Sequence, residues 1–170
     1  IYEELRAMDR GNAAALDALA RLYEDTSGWS QLVGVLQDKL ERATELDDRK
    51  WIAAEMAHTQ ANRLEELEDA IQTWRMVLEW DPDEVGALRE LDRLYLRLED
   101  WYSLGDILKR LQELVDEIGW LELQFRLARL YESDEQLADI QAAIDCYRQL
   151  LSRRPDHPGA IDSLRGIVED

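Results

Sequence analysis

Arg21, His58, Arg93 and Arg129 are basic residues in a chain that carries 38 Asp and Glu against 20 Lys and Arg. Arg89, Arg93 and Arg97 follow one another at four-residue steps, the spacing that brings side chains onto one face of a helix. Guanidinium groups in such a row hold carboxylates through paired N–H donors, so the chemistry on offer is recognition rather than bond making. Trp51 and Trp120 stand at the starts of predicted helices, and with Phe125 they are candidate apolar contacts for a partner. A catalytic reading has little to stand on. His58 and His157 are far apart in sequence, and Cys146 is the sole cysteine. There is no HExxH helix, Gly-rich phosphate loop or nucleophile elbow. Neither enzyme activity nor a cofactor nor a metal is expected.

The formal net charge is -18 and the isoelectric point is about 4.4. A surface of that sign repels phosphates, because nucleic-acid binding relies on Lys and Arg displacing counterions, so no nucleic acid is expected as a partner. Charged solvated helix faces account for the acidity without further assumption. No apolar run approaches the roughly 20 residues a membrane span needs, so no membrane insertion is expected. With 46% hydrophobic residues the chain can bury a core without disulfides. Cys146, between apolar neighbours, is expected to behave as a small hydrophobe.

Those basic residues gain meaning from a repeat. The stretch AIQTWRMVLEWDP, residues 70–82, returns as AIDCYRQLLSRRP, residues 143–155. Residues 13–36 lie over residues 85–108 without a gap, matching Leu19 with Leu91, Tyr23 with Tyr95, Trp29 with Trp101 and Leu36 with Leu108. Ala57 matches Ala128 and Ala70 matches Ala143, with two extra residues between them. A third copy begins at PGAIDSLRGIV, residues 158–168. The unit is about 72 residues and divides into two hairpins of about 36, the signature of a stacked repeat architecture.

Trp101, Leu104, Leu108, Leu111, Val115 and Ile118 recur at three- and four-residue steps, which gives an apolar stripe on a helix, whereas a strand would alternate. The pattern predicts helices over 13–25, 29–45, 48–62, 65–80, 84–98, 101–117, 120–132, 135–153 and 158–168. DPDE at 81–84 offers Asp caps and a Glu for a capping box, and Ser133 with Gln136 repeats that pattern. Gly28 and Gly119 fall at connections, and Pro158 in a first helical turn. Short connections make neighbouring helices antiparallel.

The chain resembles the tetratricopeptide repeat (TPR). Its first-helix pattern is matched by Leu16, Leu19, Ala20 and Tyr23, by Leu88, Leu91, Asp92 and Tyr95, and in part by Leu127, Ala128 and Tyr131. Ala70, Trp74 and Pro82, then Ala143, Tyr147 and Pro155, match the second-helix pattern at the family's spacing. The family's small glycine is replaced by Ala20, Ala57, Asp92 and Ala128, and Leu32 and Leu104 fill the small second-helix position. Bulkier contacts change how closely helices approach, so the resemblance does not fix the superhelical pitch.

The resemblance implies an all-α fold, a right-handed α-solenoid of antiparallel hairpins filling residues 1–170 as one repeat domain. The hairpins fall at about 13–46, 48–82, 84–118 and 120–155, with partial helices at 1–9 and 158–170. Residues 1–9 align with the end of a second helix, so the chain reads as an excised piece of a longer array, or as one whose ends are themselves caps or mediate self-association. Arg21, His58, Arg93 and Arg129 each follow the small first-helix residue, a position that lines the concave side of a TPR superhelix.

The expected function is therefore a protein-protein interaction scaffold. The partner is a protein or peptide, with acidic groups engaging Arg21, His58, Arg89, Arg93, Arg97 and Arg129, and apolar groups on Trp51 and Phe125. The alternative is that these Arg residues pair with acids nearby and the segment serves as a structural spacer or an oligomerisation element.

Overall fold

The computed structural model describes residues 13–169; the helix expected over residues 1–9 lies outside them. Every regular element among the described residues is helical. In chain order these are α1 (Ala13–Asp25), α2 (Trp29–Leu40), α3 (Leu46–Thr59) and a π-helical turn (Gln60–Leu64). α4 (Leu67–Trp80), α5 (Val85–Leu98), α6 (Trp101–Gln112), α7 (Glu117–Glu132), α8 (Ile140–Arg153) and α9 (Pro158–Glu169) follow. The chain forms two compact units, Ile1–Ala87 and Leu88–Asp170, divided in the first turn of α5.

Within the first unit, α1 packs on α2, α2 on α3 and α3 on α4; within the second, α6 packs on α7, α7 on α8 and α8 on α9. Leu32, Leu36 and Leu40 of α2 meet Ile52 and Met56 of α3, while Leu16 and Leu19 of α1 close on Val35. Full burial of each such side chain is worth about 1.5–3 kcal/mol. The second unit buries Tyr147 and Leu150 of α8 against Ala128 and Ala160. Three repeat-equivalent alanine pairs, Ala57 with Ala128, Ala70 with Ala143 and Ala87 with Ala160, are wholly buried. A small side chain at a crossing lets two helix backbones approach, which is why these positions repeat.

Several predicted edges move, each for a local reason. The stripe from Trp101 to Ile118 was expected to be one helix to 117, but α6 ends at Gln112 and α7 begins at Glu117. Asp116 caps α7 by accepting from the Gly119 N–H at 2.9 Å, and Ile118 is 70% exposed. A Cβ on Gly119 would come within 2.9 Å of Val115, so the tight connection requires glycine there. The second capping box is also corrected. Ser133 terminates α7, and α8 begins at Ile140 with Asp139 accepting from the Ala142 N–H at 3.0 Å. The intervening loop folds back on α7 through Leu137 N–H to Leu130 O and Asp139 N–H to Tyr131 O.

At DPDE, Glu84 takes the capping contact, accepting from the Gly86 N–H at 3.3 Å. Asp81 and Glu84 together bind Lys50 of α3 at 2.9 and 2.6 Å. Those hydrogen bonds hold the Lys50 ammonium above its ordinary value and the Asp81 carboxyl below its own. The left-handed residue of the α1–α2 turn is Ser27 (φ 57) rather than Gly28, and its repeat equivalent Glu99 (φ 56) does the same before α6.

A guanidinium–indole contact joins the two helices of each even hairpin. Arg49 lies 4.2 Å from the Trp80 ring centre in the first unit, and Arg153 lies 3.8 Å from that of Trp120 in the second. By the offsets of the repeat, Arg49 corresponds to Trp120 and Trp80 to Arg153. The partners have exchanged helices while the contact has been kept. The Arg49 Nε is buried without a hydrogen-bond partner among the described residues, and the guanidinium carbon lies over the indole ring. A Trp80→Arg change alone sets two guanidiniums together and is predicted to cost about 1–2 kcal/mol in urea unfolding. Adding Arg49→Trp, which rebuilds the second unit's order, is predicted to restore more than half of that loss. Additive losses in the double variant would show that the contact is incidental.

Candidate functional site

The first unit carries an open groove of about 790 Å³ between α1, α2 and α3. Successive turns of α1 supply Asp17, Arg21 and Glu24 to one wall; Trp51, Glu55 and His58 of α3 form the other. Leu32 and Leu36 of α2 make an apolar floor. At one end Lys39 binds Asp17 at 2.6 Å, with its ammonium 5.7 Å from the Trp51 ring centre. At the other, Arg63 lies over Trp29 at 4.8 Å.

That second end depends on the π-helical turn. The extra residue per turn, closed by Glu65 in the left-handed region (φ 58), carries Asn62 and Arg63 into the groove. Gln60 anchors the turn by accepting from the buried Thr73 hydroxyl at 2.8 Å.

Arg21, His58 and Trp51 all line this groove, so three of the residues singled out in the sequence come together. Trp51 is 59% exposed, and His58 packs edge-on against the buried Trp74, ring centres 5.3 Å apart. Arg89 and Arg93 lie in the second unit, in a smaller groove of about 270 Å³ between α5, α6 and α7. Arg93 is paired with Glu90 on its own helix. Arg97 is exposed in the last turn of α5 and lines neither groove. Arg129 binds Glu132 at 3.0 Å, and Glu132 also accepts from the Tyr147 hydroxyl at 2.6 Å. Phe125 is half-buried and packs on Tyr147 and His157, and its ring lies where a Cβ on Gly159 would stand. Trp120 is covered by Arg153.

The two grooves are repeat equivalents, and their difference in size has a residue-level cause. In the second unit Arg126 of α7 donates to both carboxylate oxygens of Asp92 on α5, at 2.8 and 2.7 Å. This fork closes the groove, and it holds the Arg126 guanidinium above its ordinary value. The matching positions in the first unit are Glu55 and Ala20, which form no bridge. Lys39, Glu55, Asn62 and Arg63 were not anticipated as groove residues. The contrast of Ala20 with Asp92 and of Glu55 with Arg126 is the sequence signal that could have found two of the walls.

No protein-family model matches the chain, and no curated protein matches it in sequence. Solved structures do match in fold. A crystal structure of MamA protein superimposes with a TM-score of 0.55 at 15% identity, covering 88% of this chain and 77% of that one. YrrB, described as a TPR protein with an unusual peptide-binding site, gives 0.53 at 13% identity, over 96% of this chain and 80% of its own. The TPR-like repeats of a kinesin light chain from Podosopora anserina give 0.52 at 17%, covering 96% and 83%. The chain has a TPR-like helical-repeat fold, of the all-α solenoid class. No helix among the described residues is long and apolar enough to cross a membrane.

Burial, with the Glu132 hydrogen bond, pushes the Tyr147 phenol up to about 12. An unfolded tyrosine ionises near ~10, so this group's stabilising contribution is complete below that and lost as pH rises towards about 12. Urea midpoints measured across that alkaline range should fall less steeply in Tyr147→Phe than in the wild type. The variant should also lose about 0.5–1.5 kcal/mol at neutral pH. Burial likewise pushes the Cys146 thiol up, in keeping with a packing role.

Proposed function

We propose that this protein is an interaction scaffold and that its first unit binds a segment of a protein partner in the open groove between α1, α2 and α3. The observation that carries the reading is the groove itself. It is about 790 Å³, open, and lined by Arg21, His58 and the exposed indole of Trp51. Its walls run from Asp17 to Glu24 on α1 and from Trp51 on α3 to Asn62 in the π-helical turn, roughly 10–16 Å at about 1.5 Å per residue. An extended peptide of roughly four or five residues spans that length. Because helices and packed side chains form the walls, little ordering cost falls on the scaffold.

Arg21 supplies a fork of donors for a carboxylate of the segment, and Trp51 supplies an exposed aromatic face for one of its side chains. The description of YrrB as a TPR protein with an unusual peptide-binding site supports peptide recognition by a fold of this kind. In the second unit, the ion pairs of Arg93 and Arg129 with acids on their own helix favour a structural role for those residues. A spacer or self-associating role for that unit is the second reading.

A displayed library of random peptides selected on the intact chain provides the test. Selected peptides should weaken at least about tenfold on Trp51→Ala and on Arg21→Glu, with both variants folded by circular dichroism. Arg97→Glu should bind as the wild type does. Peptides indifferent to both groove substitutions would move the binding surface elsewhere.

A further inference from the structure

We infer that the groove of the first unit takes an arginine-bearing segment, whose guanidinium lies on the Trp51 ring and pairs with Glu55. This deepens the peptide-groove reading and rests on it.

The second unit shows what completes such a groove. There a guanidinium, that of Arg126, spans the gap and satisfies a carboxylate on the facing helix. In the first unit the corresponding wall carries Glu55, exposed and without an ion pair among the described residues, and Ala20 opposite offers no cation. The carboxylate is present and the guanidinium is missing. Trp51 stands one turn before Glu55 on the same face of α3.

Indole rings in this chain repeatedly bear a guanidinium: Arg49 on Trp80, Arg63 on Trp29 and Arg153 on Trp120. Among the described residues Trp51 has only the Lys39 ammonium, at 5.7 Å, and that ammonium is already bound to Asp17. An aromatic face beside an uncompensated carboxylate is the site an arginine fits, by stacking and by paired hydrogen bonds. Charge complementarity favours the same occupant, since a chain of net charge -18 attracts basic segments from a distance.

The experiment titrates acetyl-Gly-Leu-Arg-Leu-Gly-amide, and the same pentapeptide with citrulline for arginine, into the full chain. The indole N–H resonance of Trp51, assigned by its loss in Trp51→Phe, reports occupancy. The arginine peptide should give a saturable shift with about tenfold tighter binding than the citrulline peptide, and Glu55→Gln should cut that difference to about threefold or less, the part left to stacking on Trp51. Equal affinity for the two peptides, or an unchanged preference in Glu55→Gln, would overturn the arginine assignment while leaving the groove a peptide site. If neither peptide moves the Trp51 resonance the inference also fails. The groove reading fails with it only when library-selected peptides ignore Trp51→Ala as well.

Discussion

A hairpin of two short helices leaves one apolar face uncovered, and it becomes stable only when a neighbouring element covers that face. This constraint explains why the same alanines are buried in both units. Ala57 and Ala128, Ala70 and Ala143, and Ala87 and Ala160 sit where helix backbones must come close. It also explains why the repeat is exact in some places and free in others. At these three alanine positions the close crossing favours a small residue, whereas positions that join two helices need a contact and not a particular residue. The Arg49–Trp80 and Trp120–Arg153 contacts show this freedom directly, because the partners have changed places and the stacking has persisted.

The same freedom separates the two grooves. A forked ion pair between Asp92 and Arg126 bridges the second unit's first helices, and the space it leaves is about 270 Å³. With Ala20 and Glu55 at the matching positions, the first unit has no bridge between α1 and α3 among the described residues, and about 790 Å³ lies between its walls. One copy of the repeat thus spends its facing side chains on holding itself together. The other leaves a carboxylate, an indole and a guanidinium facing solvent. Divergence between copies, rather than conservation of a stripe, distinguishes the candidate site from the scaffold around it.

Much of the architecture was legible in the sequence because it follows from helical periodicity and from the repeat offset. The helix edges that moved had misleading patterns. The apolar steps from Leu111 to Ile118 continue across the α6–α7 break, and only the Asp116 cap and the close approach at Gly119 reveal it. Ser133 and Gln136 imitate a helix start, but the hydrogen bonds from Leu137 and Asp139 back to α7 make that stretch a loop. Gln60–Leu64 contains neither Gly nor Pro and continues α3 without a break, so nothing in its residues marks the π-helical turn. Of the basic stripe, Arg21 and His58 reach the open groove, while Arg93 and Arg129 have acidic neighbours within one turn. Sequence spacing gives the face of a helix. It does not say which side chains on that face are already engaged.

The first unit's groove is open because it lacks the second unit's bridge between facing first helices. The most direct measurement transplants the bridge as Ala20→Asp with Glu55→Arg and compares peptide binding and urea stability with the wild type. The predicted result is at least about a tenfold loss of affinity for groove-selected peptides, with stability unchanged or raised by up to ~1 kcal/mol. A folded double variant that binds those peptides as tightly as the wild type would show that the missing bridge does not open the groove to a ligand.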